Sequence, residues 1–265
     1  MQEPSHRKSL NQEQLKVLYA LYKFRFGTEE LLALNQGNVS RRYTHERVRI
    51  LCEQEYIGRR YDSSYRLFGN PATYYLLPKG IDILKQNKAD FKPQVLRNIR
   101  RDIDVSKGYM WHCINVFRVY ARFKDLHGDS LKFFTKSYLT TYDYFPKPLP
   151  DAYLSYRDDA KEESIRHYML EYFDWSASLS AMKRKINIYI NHADSGDWTP
   201  QSPYPAILLI CTTAELEAKL RKWASVALEN SWEDSARIYT TTKDIFFSAK
   251  ENNIWRECKA ETPRE

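Results

Sequence analysis

Along residues 12–26, QEQLKVLYALYKFRF, the apolar positions Leu15, Leu18, Leu21 and Tyr22 recur at three- and four-residue spacing and predict a helix ended by Gly27. Thr28 ahead of Glu29, Glu30, Leu31, Leu32 and Leu34 predicts an N-capped second helix, closed by the turn-prone Asn35, Gly37 and Asn38. A third helix is expected from about Ser40 to Glu55. On it Thr44, Val48, Leu51 and Cys52 share a face, Arg42, Glu46 and Arg49 point away, and Arg41, His45 and Arg47 flank. The period then shortens. Arg59, Arg60 and Tyr61, the turn-like Asp62-Ser63-Ser64, Tyr65 to Leu67 and, after Gly69-Asn70-Pro71, Thr73 to Leu77 predict short strands with polar turns. Pro78-Lys79-Gly80 with Ile81, Ile83 and Leu84 predicts a closing helix, and the polar segment 89–106, with Pro93, Arg97, Arg100 and Arg101, reads as a basic linker of partly helical character.

The second half opens on MWHCINVFRVYARF, residues 110–123, where Cys113, Val116, Phe117 and Tyr120 form the apolar side of a helix. Strand-like runs follow at Leu131–Ser137, Asp151–Tyr156 and Ile165–Phe173, the last two separated by the charged turn RDDAKEES. Ser176 to Asn191 returns to helical spacing through Leu179, Met182, Ile186, Tyr189 and Ile190, and the continuous run Ala206 to Cys211 predicts a buried strand. The order is α, β, β, β, α, β. The polar tail from Lys250 onward is expected to be mobile, with Trp255 its odd apolar residue.

Composition narrows the classes. A chain of 265 residues and 31.5 kDa is long enough for one large domain or two small ones, each with its own core. No apolar run exceeds six residues, far short of the roughly 20 a membrane helix needs. The segment MQEPSHRKSL has no apolar region of a secretory signal, and the four cysteines form no CxxC pair. A reduced, cytoplasmic setting without cysteine-bound zinc is therefore expected. Neither GxGxxG nor GxxxxGK[ST] occurs among the 8 glycines, which argues against kinase, ATPase and Rossmann chemistry. Of the +7 net charge, residues 1–110 hold 20 Lys and Arg against 12 Asp and Glu, whereas 111–265 hold 21 against 22. The whole excess is N-terminal, as in an anion-binding module joined to a part with a different task.

Three helices followed by a β-hairpin, with arginines on the third helix and the hairpin, is the plan of a winged helix-turn-helix, whose third helix enters the major groove of double-stranded DNA while the wing meets phosphate or the minor groove. The expected contacts are Arg41, Arg42, His45, Arg47 and Arg49 on the helix and Arg59, Arg60 and Arg66 on the wing. In the second half, a hairpin centred near residue 161 sets Asp151 opposite Glu171, with Cβ atoms roughly 4.5 to 5.5 Å apart. Two carboxylates so close repel unless a cation lies between them, and hard oxygen ligands suit Mg²⁺ or Mn²⁺. Asp174 is a candidate third ligand or supporting group. Lys185, four residues before Tyr189 on the next helix, is placed to reach the same point. A metal-activated water attacking a phosphodiester, with a lysine stabilising the developing charge, is the chemistry such a set performs. Taken singly, Asp151 can simply begin a strand, Lys185 belongs to a run of three cations, Tyr189 suits packing and His112 suits a hydrogen-bonded core position.

The order of elements and the succession Pro150-Asp151, Glu171, Lys185 resemble the PD-(D/E)XK nuclease fold, with its restriction-endonuclease-like αβββαβ core. More narrowly, the winged module, then His112 in WHCINVFRVY, PDAYLSY, MLEYFDW and KINIY, resembles the plasmid replication-relaxation family, which includes the MOBC class of conjugative relaxases. The similarity runs from about residue 11 to 248 and rests on the order of motifs. It implies an α+β chain with a winged helix in 1–88, a linker in 89–106 and a nuclease-like domain in 107–265. It further implies binding at an origin of transfer or replication, alongside other relaxosome or replication proteins, and metal-dependent nicking with Asp151 and Glu171 as metal carboxylates. The motif's lysine, two residues after the glutamate, is Phe173 here, so the resemblance moves the catalytic lysine to Lys185. Where relatives often carry an acid two residues after the glutamate, this chain has Asp174, three after. None of the six histidines forms the histidine-hydrophobe-histidine pair of the commoner relaxases, which excludes that class. The rival expectations are a DNA-binding replication or mobilisation accessory protein or regulator with an inactive core, and an endonuclease cutting both strands.

Overall fold

The computed structural model describes residues 10–37, 40–87, 93–157, 165–229, 231, 236–248 and 254–259. The fold is α+β, and its internal contacts divide it into two units, Met1–Ser106 and Lys107–Glu265.

In the first unit α1 (Gln12–Phe24) is opened by a reciprocal capping pair of Asn11 and Gln14 and buries Leu15, Leu18, Leu21 and Tyr22, as their spacing predicts. It ends ahead of Gly27. Arg25 turns into the left-handed region at φ 71°, which releases Phe26–Gly27 as β1. Thr28 caps α2 (Glu29–Asn35) by accepting from the Leu31 amide at 3.3 Å, and α3 (Arg41–Glu53) buries Thr44, Val48 and Leu51. Then come β2 (Ile57–Arg60), α4 (Ser63–Leu67), β3 (Thr73–Leu76), α5 (Pro78–Asn87) and α6 (Pro93–Arg100). The three strands form an antiparallel sheet in the order β1-β3-β2.

Two expectations are corrected here. Tyr65 to Leu67 is a helical turn, not a strand, because the Asp62 carboxylate accepts from the Ser64 and Tyr65 amides at 2.9 and 3.2 Å and so nucleates α4. Strand β2 pairs instead with β3, Ile57 opposite Leu76. The described part of the expected linker, 93–106, packs as part of the first unit: α6 buries Val95, Leu96 and Ile99. Asp102 is fully buried against Arg25, and the Arg60 guanidinium donates to the carbonyls of Asp102 and Val105 at 2.8 and 3.0 Å.

The second unit runs α7 (Lys107–His127), β4 (Lys132–Thr135), α8 (Lys136–Leu139), β5 (Ala152–Arg157), β6 (Ile165–Phe173), α9 (Leu179–Asp194), β7 (Ala206–Cys211), α10 (Ala214–Glu229), β8 (Ile238–Thr242), α11 (Lys243–Ser248) and β9 (Arg256–Cys258). Its strands form one mixed sheet in the order β4-β5-β6-β7-β8-β9, parallel across β6, β7 and β8 and antiparallel elsewhere. The first six predicted elements are found, except that the strand expected to run to Ser137 stops at Thr135 and gives way to α8. Sequence patterning missed α10, β8, α11 and β9. Of the charged turn RDDAKEES, Arg157 is the last residue of β5 and 158–164 lie outside the described residues. Part of the tail expected to be mobile is ordered: β9 pairs with β8, Cys258 opposite Ile238, and the Trp255 ring lies 6.0 Å from that of Phe246. Met169 and Phe173 of β6, Ile207 and Leu209 of β7, and Met182 and Ile186 of α9 lie in the core between sheet and helices.

Candidate functional site

The pairing of β5 with β6 sets Ala152 opposite Leu170, and its continuation by one residue brings Asp151 beside Glu171, the register expected from the hairpin. The Asp151 amide donates to the Leu170 carbonyl at 3.0 Å and to Glu171 Oε1 at 3.3 Å, while the Tyr172 amide donates to Asp151 Oδ2 at 2.9 Å. Asp151 is thus fixed to β6 through both backbone and side chain. On β6, Glu171 shares a strand face with Met169 and Phe173, both in the apolar core. A carboxylate there needs partners. Two come from α9, one turn apart: Lys185 Nζ lies 2.8 Å from Glu171 Oε1, and the Tyr189 hydroxyl donates to the same oxygen. Lys185 therefore reaches the expected point, and Tyr189, read as packing, is buried and bonded to the site as well.

Two further side chains close the cluster. His112 on α7 sets Nε2 3.0 Å from Asp151 Oδ1 and Nδ1 3.1 Å from Asp174 Oδ2. With a carboxylate at each nitrogen, both ring N–H groups donate and the ring is an imidazolium. Lys136, first residue of α8, places Nζ 2.6 Å from Asp151 Oδ1. Its side chain is 45% exposed, the most exposed of the three cations. Asp174 accepts from the Ser176 amide at 2.9 Å and holds His112 from the far side. It supports His112 and is not joined to Asp151 and Glu171 as a third carboxylate.

Three buried carboxylates thus face three cations. Burial opposes ionisation of Asp151, but His112 and Lys136 outweigh it and hold its pKa well below the usual range. Burial and the neighbouring Asp151 charge raise that of Glu171, against the pull of Lys185 and Lys136. Burial disfavours charge on His112, yet the Asp151 carboxylate and the two hydrogen bonds push its pKa up to about 10. A histidine whose pKa is raised on folding stabilises the fold fully below its unfolded value, and that contribution is lost as pH climbs toward the folded one. The second unit should therefore lose stability, on the order of a few kcal/mol, between about pH 6.5 and 10. Urea unfolding of wild type and His112→Gln across that range would measure it. An equal alkaline loss in both proteins would assign it to other groups.

The chemistry of the donors bears on a divalent ion. Among the described residues no group of three or more His, Cys, Asp and Glu forms a metal cage. Mg²⁺ is commonly held by one or two carboxylates with substrate phosphate and water; Asp151 and Glu171 are two hard-oxygen carboxylates side by side, and both Asp151 oxygens and Glu171 Oε1 already accept from neighbouring donors. Sequence reasoning missed Lys136 as a site residue. Extending the β4–β5 register, in which Lys132 faces Ser155 and Thr135 faces Ala152, brings Lys136 opposite Asp151. That signal requires knowing the register of two strands joined by a long connection. His112 was legible only as a polar residue on an apolar helix.

The basic residues of the first unit divide into two sets. Arg41, Arg42 and Arg66 are exposed and form no ion pair among the described residues, and Arg59, also exposed, lies 4.8 Å over the Tyr61 ring. The others are engaged. Arg47 donates to Gln36, Arg49 is held by Glu46 and Glu53, His45 lies 3.1 Å from Glu29, and Arg60 binds backbone carbonyls. No helix among the described residues is long and apolar enough to cross a membrane. Compared with family models, with curated proteins and with solved structures, the chain gives no match in any of the three.

Proposed function

We propose that this chain is a relaxase-like DNA-processing protein of a plasmid or mobile element. In this reading the first unit is a winged helix that binds an origin-type site in double-stranded DNA, and the second is a nuclease-like core that nicks one strand. The observation that carries it is the strand register that brings Asp151 and Glu171 together within reach of Lys185 and Lys136. Three helices followed by an antiparallel hairpin, with Arg41, Arg42, Arg59 and Arg66 turned to solvent, support the DNA-binding half.

Asp151 and Glu171 would hold Mg²⁺ or Mn²⁺, which would supply Lewis-acid stabilisation of a phosphoryl oxygen. The chain's own groups do the rest. Lys136, the most exposed of the three cations, would meet the incoming phosphodiester and offset its charge. Lys185 and Tyr189 fix Glu171 from α9, and His112, fixed by Asp174, orients Asp151 and keeps a proton on Nε2. A supercoiled plasmid carrying the protein's own flanking region, incubated with wild type and Mg²⁺ or Mn²⁺, should become open circles. Linear product would point to cutting of both strands. Supercoils that persist while the same DNA shifts on a gel would favour the second reading, an accessory or regulatory DNA-binding protein with an inactive core. One feature favours that reading: His112, Lys136 and Lys185 already balance the three carboxylates.

A further inference from the structure

The hairpin of the first unit ends in two apolar side chains held out into water. Leu67 is 79% exposed and Phe68 73% exposed, beside Tyr61 at 43%. We propose that this tip is an apolar wedge that enters the base stack of double-stranded DNA from the minor groove; the inference rests on the DNA-binding reading above and adds what the hairpin does to the duplex.

The tip is built rigidly. Asp62 caps α4, Tyr65 is buried beneath it, and the Tyr65 carbonyl accepts from the Asn70 amide at 2.8 Å. The Phe68 amide donates to the Ser64 carbonyl at 3.1 Å, and Gly69 reverses the chain at φ +63°, where a side chain would be strained. Leu67 and Phe68 are thus presented by a fixed turn. Two large apolar side chains displayed in water forgo the gain of burial, which a partner surface would restore.

Charge decides which partner. The tip's exposed cations are Arg66, between Tyr65 and Leu67 in the chain, and Arg59 over Tyr61; its one exposed acid, Asp62, is spent on capping α4. The whole excess of positive charge in the chain lies in residues 1–110. Apolar wedges flanked by arginines are how minor-groove proteins unstack a base step while holding phosphate on either side. The helical turn that replaces the expected strand is what brings Leu67 and Phe68 to the outside.

The test uses the full chain and a closed circular plasmid bearing the protein's own flanking region. The plasmid is relaxed by a metal-independent topoisomerase in EDTA, so that no divalent-dependent nicking intervenes. Wild type should leave a changed linking number after the protein is removed. Leu67→Ser with Phe68→Ser should lose most of that change and bind the plasmid fragment about tenfold more weakly. Arg66→Ala should weaken binding mainly at low salt and keep the linking change per bound protein. Both side chains of the double variant are exposed, so its circular dichroism should match wild type. Wild type that gives no gel shift overturns the DNA-binding reading and the wedge with it. A gel shift with no linking change, or with the same change in the double variant, overturns the wedge alone. A double variant altered only in oligomeric state on gel filtration overturns it in favour of a protein interface.

Discussion

Asp151→Asn is expected to nick supercoiled plasmid at least a hundredfold more slowly than wild type, roughly the scale on which loss of one group stabilising a transition state is felt. Asp151 carries more of the cluster than any other residue. It accepts from His112, Lys136 and the Tyr172 amide, and its amide reaches Glu171. Asparagine keeps the shape and one carbonyl oxygen but removes the charge that a divalent ion, His112 and Lys136 all answer to. Alanine removes the oxygens as well as the charge, leaving Lys136 and the Tyr172 amide without this acceptor and His112 with Asp174 alone, and breaking a buried pair in this way costs about 3–5 kcal/mol. The asparagine variant separates chemistry from folding: its second unit should unfold closer to wild type while nicking is lost. Glu171→Ala should be equally inactive. Wild-type rates in Asp151→Asn, from protein free of contaminating nuclease, would sink the assignment.

Arg25→Ala should destabilise the first unit by about 3–5 kcal/mol. Arg25 grips Asp102 through both Nε and Nη2 and donates to the Asn98 carbonyl at 2.7 Å, and Asp102 is fully buried. Burial pushes the Asp102 pKa up and Arg25 pulls it back down, so without the guanidinium the carboxylate must take up a proton or unfold its surroundings. The comparison is Arg49→Ala. Arg49 is bound to Glu46 and Glu53 on an exposed helix face, and such pairs contribute about 0–1 kcal/mol. Denaturant unfolding with hydrogen exchange over residues 10–106 would resolve the two. Equal costs for Arg25→Ala and Arg49→Ala would mean that the 93–106 segment is not held by this ion pair.

Legibility of the site followed distance along the chain. Asp151 and Glu171 flank one hairpin, so the arithmetic of a single turn sets their register, and Lys185 and Tyr189 lie one helical turn apart, so they share a face wherever that helix packs. His112 and Lys136 are different. His112 depends on how α7 lies against the sheet, and Lys136 on a register across the long connection between β4 and β5. The arginines divide for a related reason. Charge and spacing mark a basic face, but Arg60 and Arg47 turn inward to a carbonyl cradle and to Gln36, partners that lie elsewhere in the chain. The Tyr65 strand failed locally: its aromatic pattern suits a strand, yet Asp62 satisfies two amides at once and the backbone follows the cap.

The sequence by itself determined most of the helices and strands through β7, with β1, α4 and α8 the exceptions, together with the buried faces, the concentration of positive charge in residues 1–110 and the meeting of Asp151 with Glu171, because each depends on periodicity or on one turn. Tertiary structure alone decided which cations answer the carboxylates, which arginines turn inward, that residues 93–106 belong to the first unit and that α10, β8, α11 and β9 complete the second. Those outcomes depend on long-range packing, where a buried charge takes whichever partner the fold brings within reach.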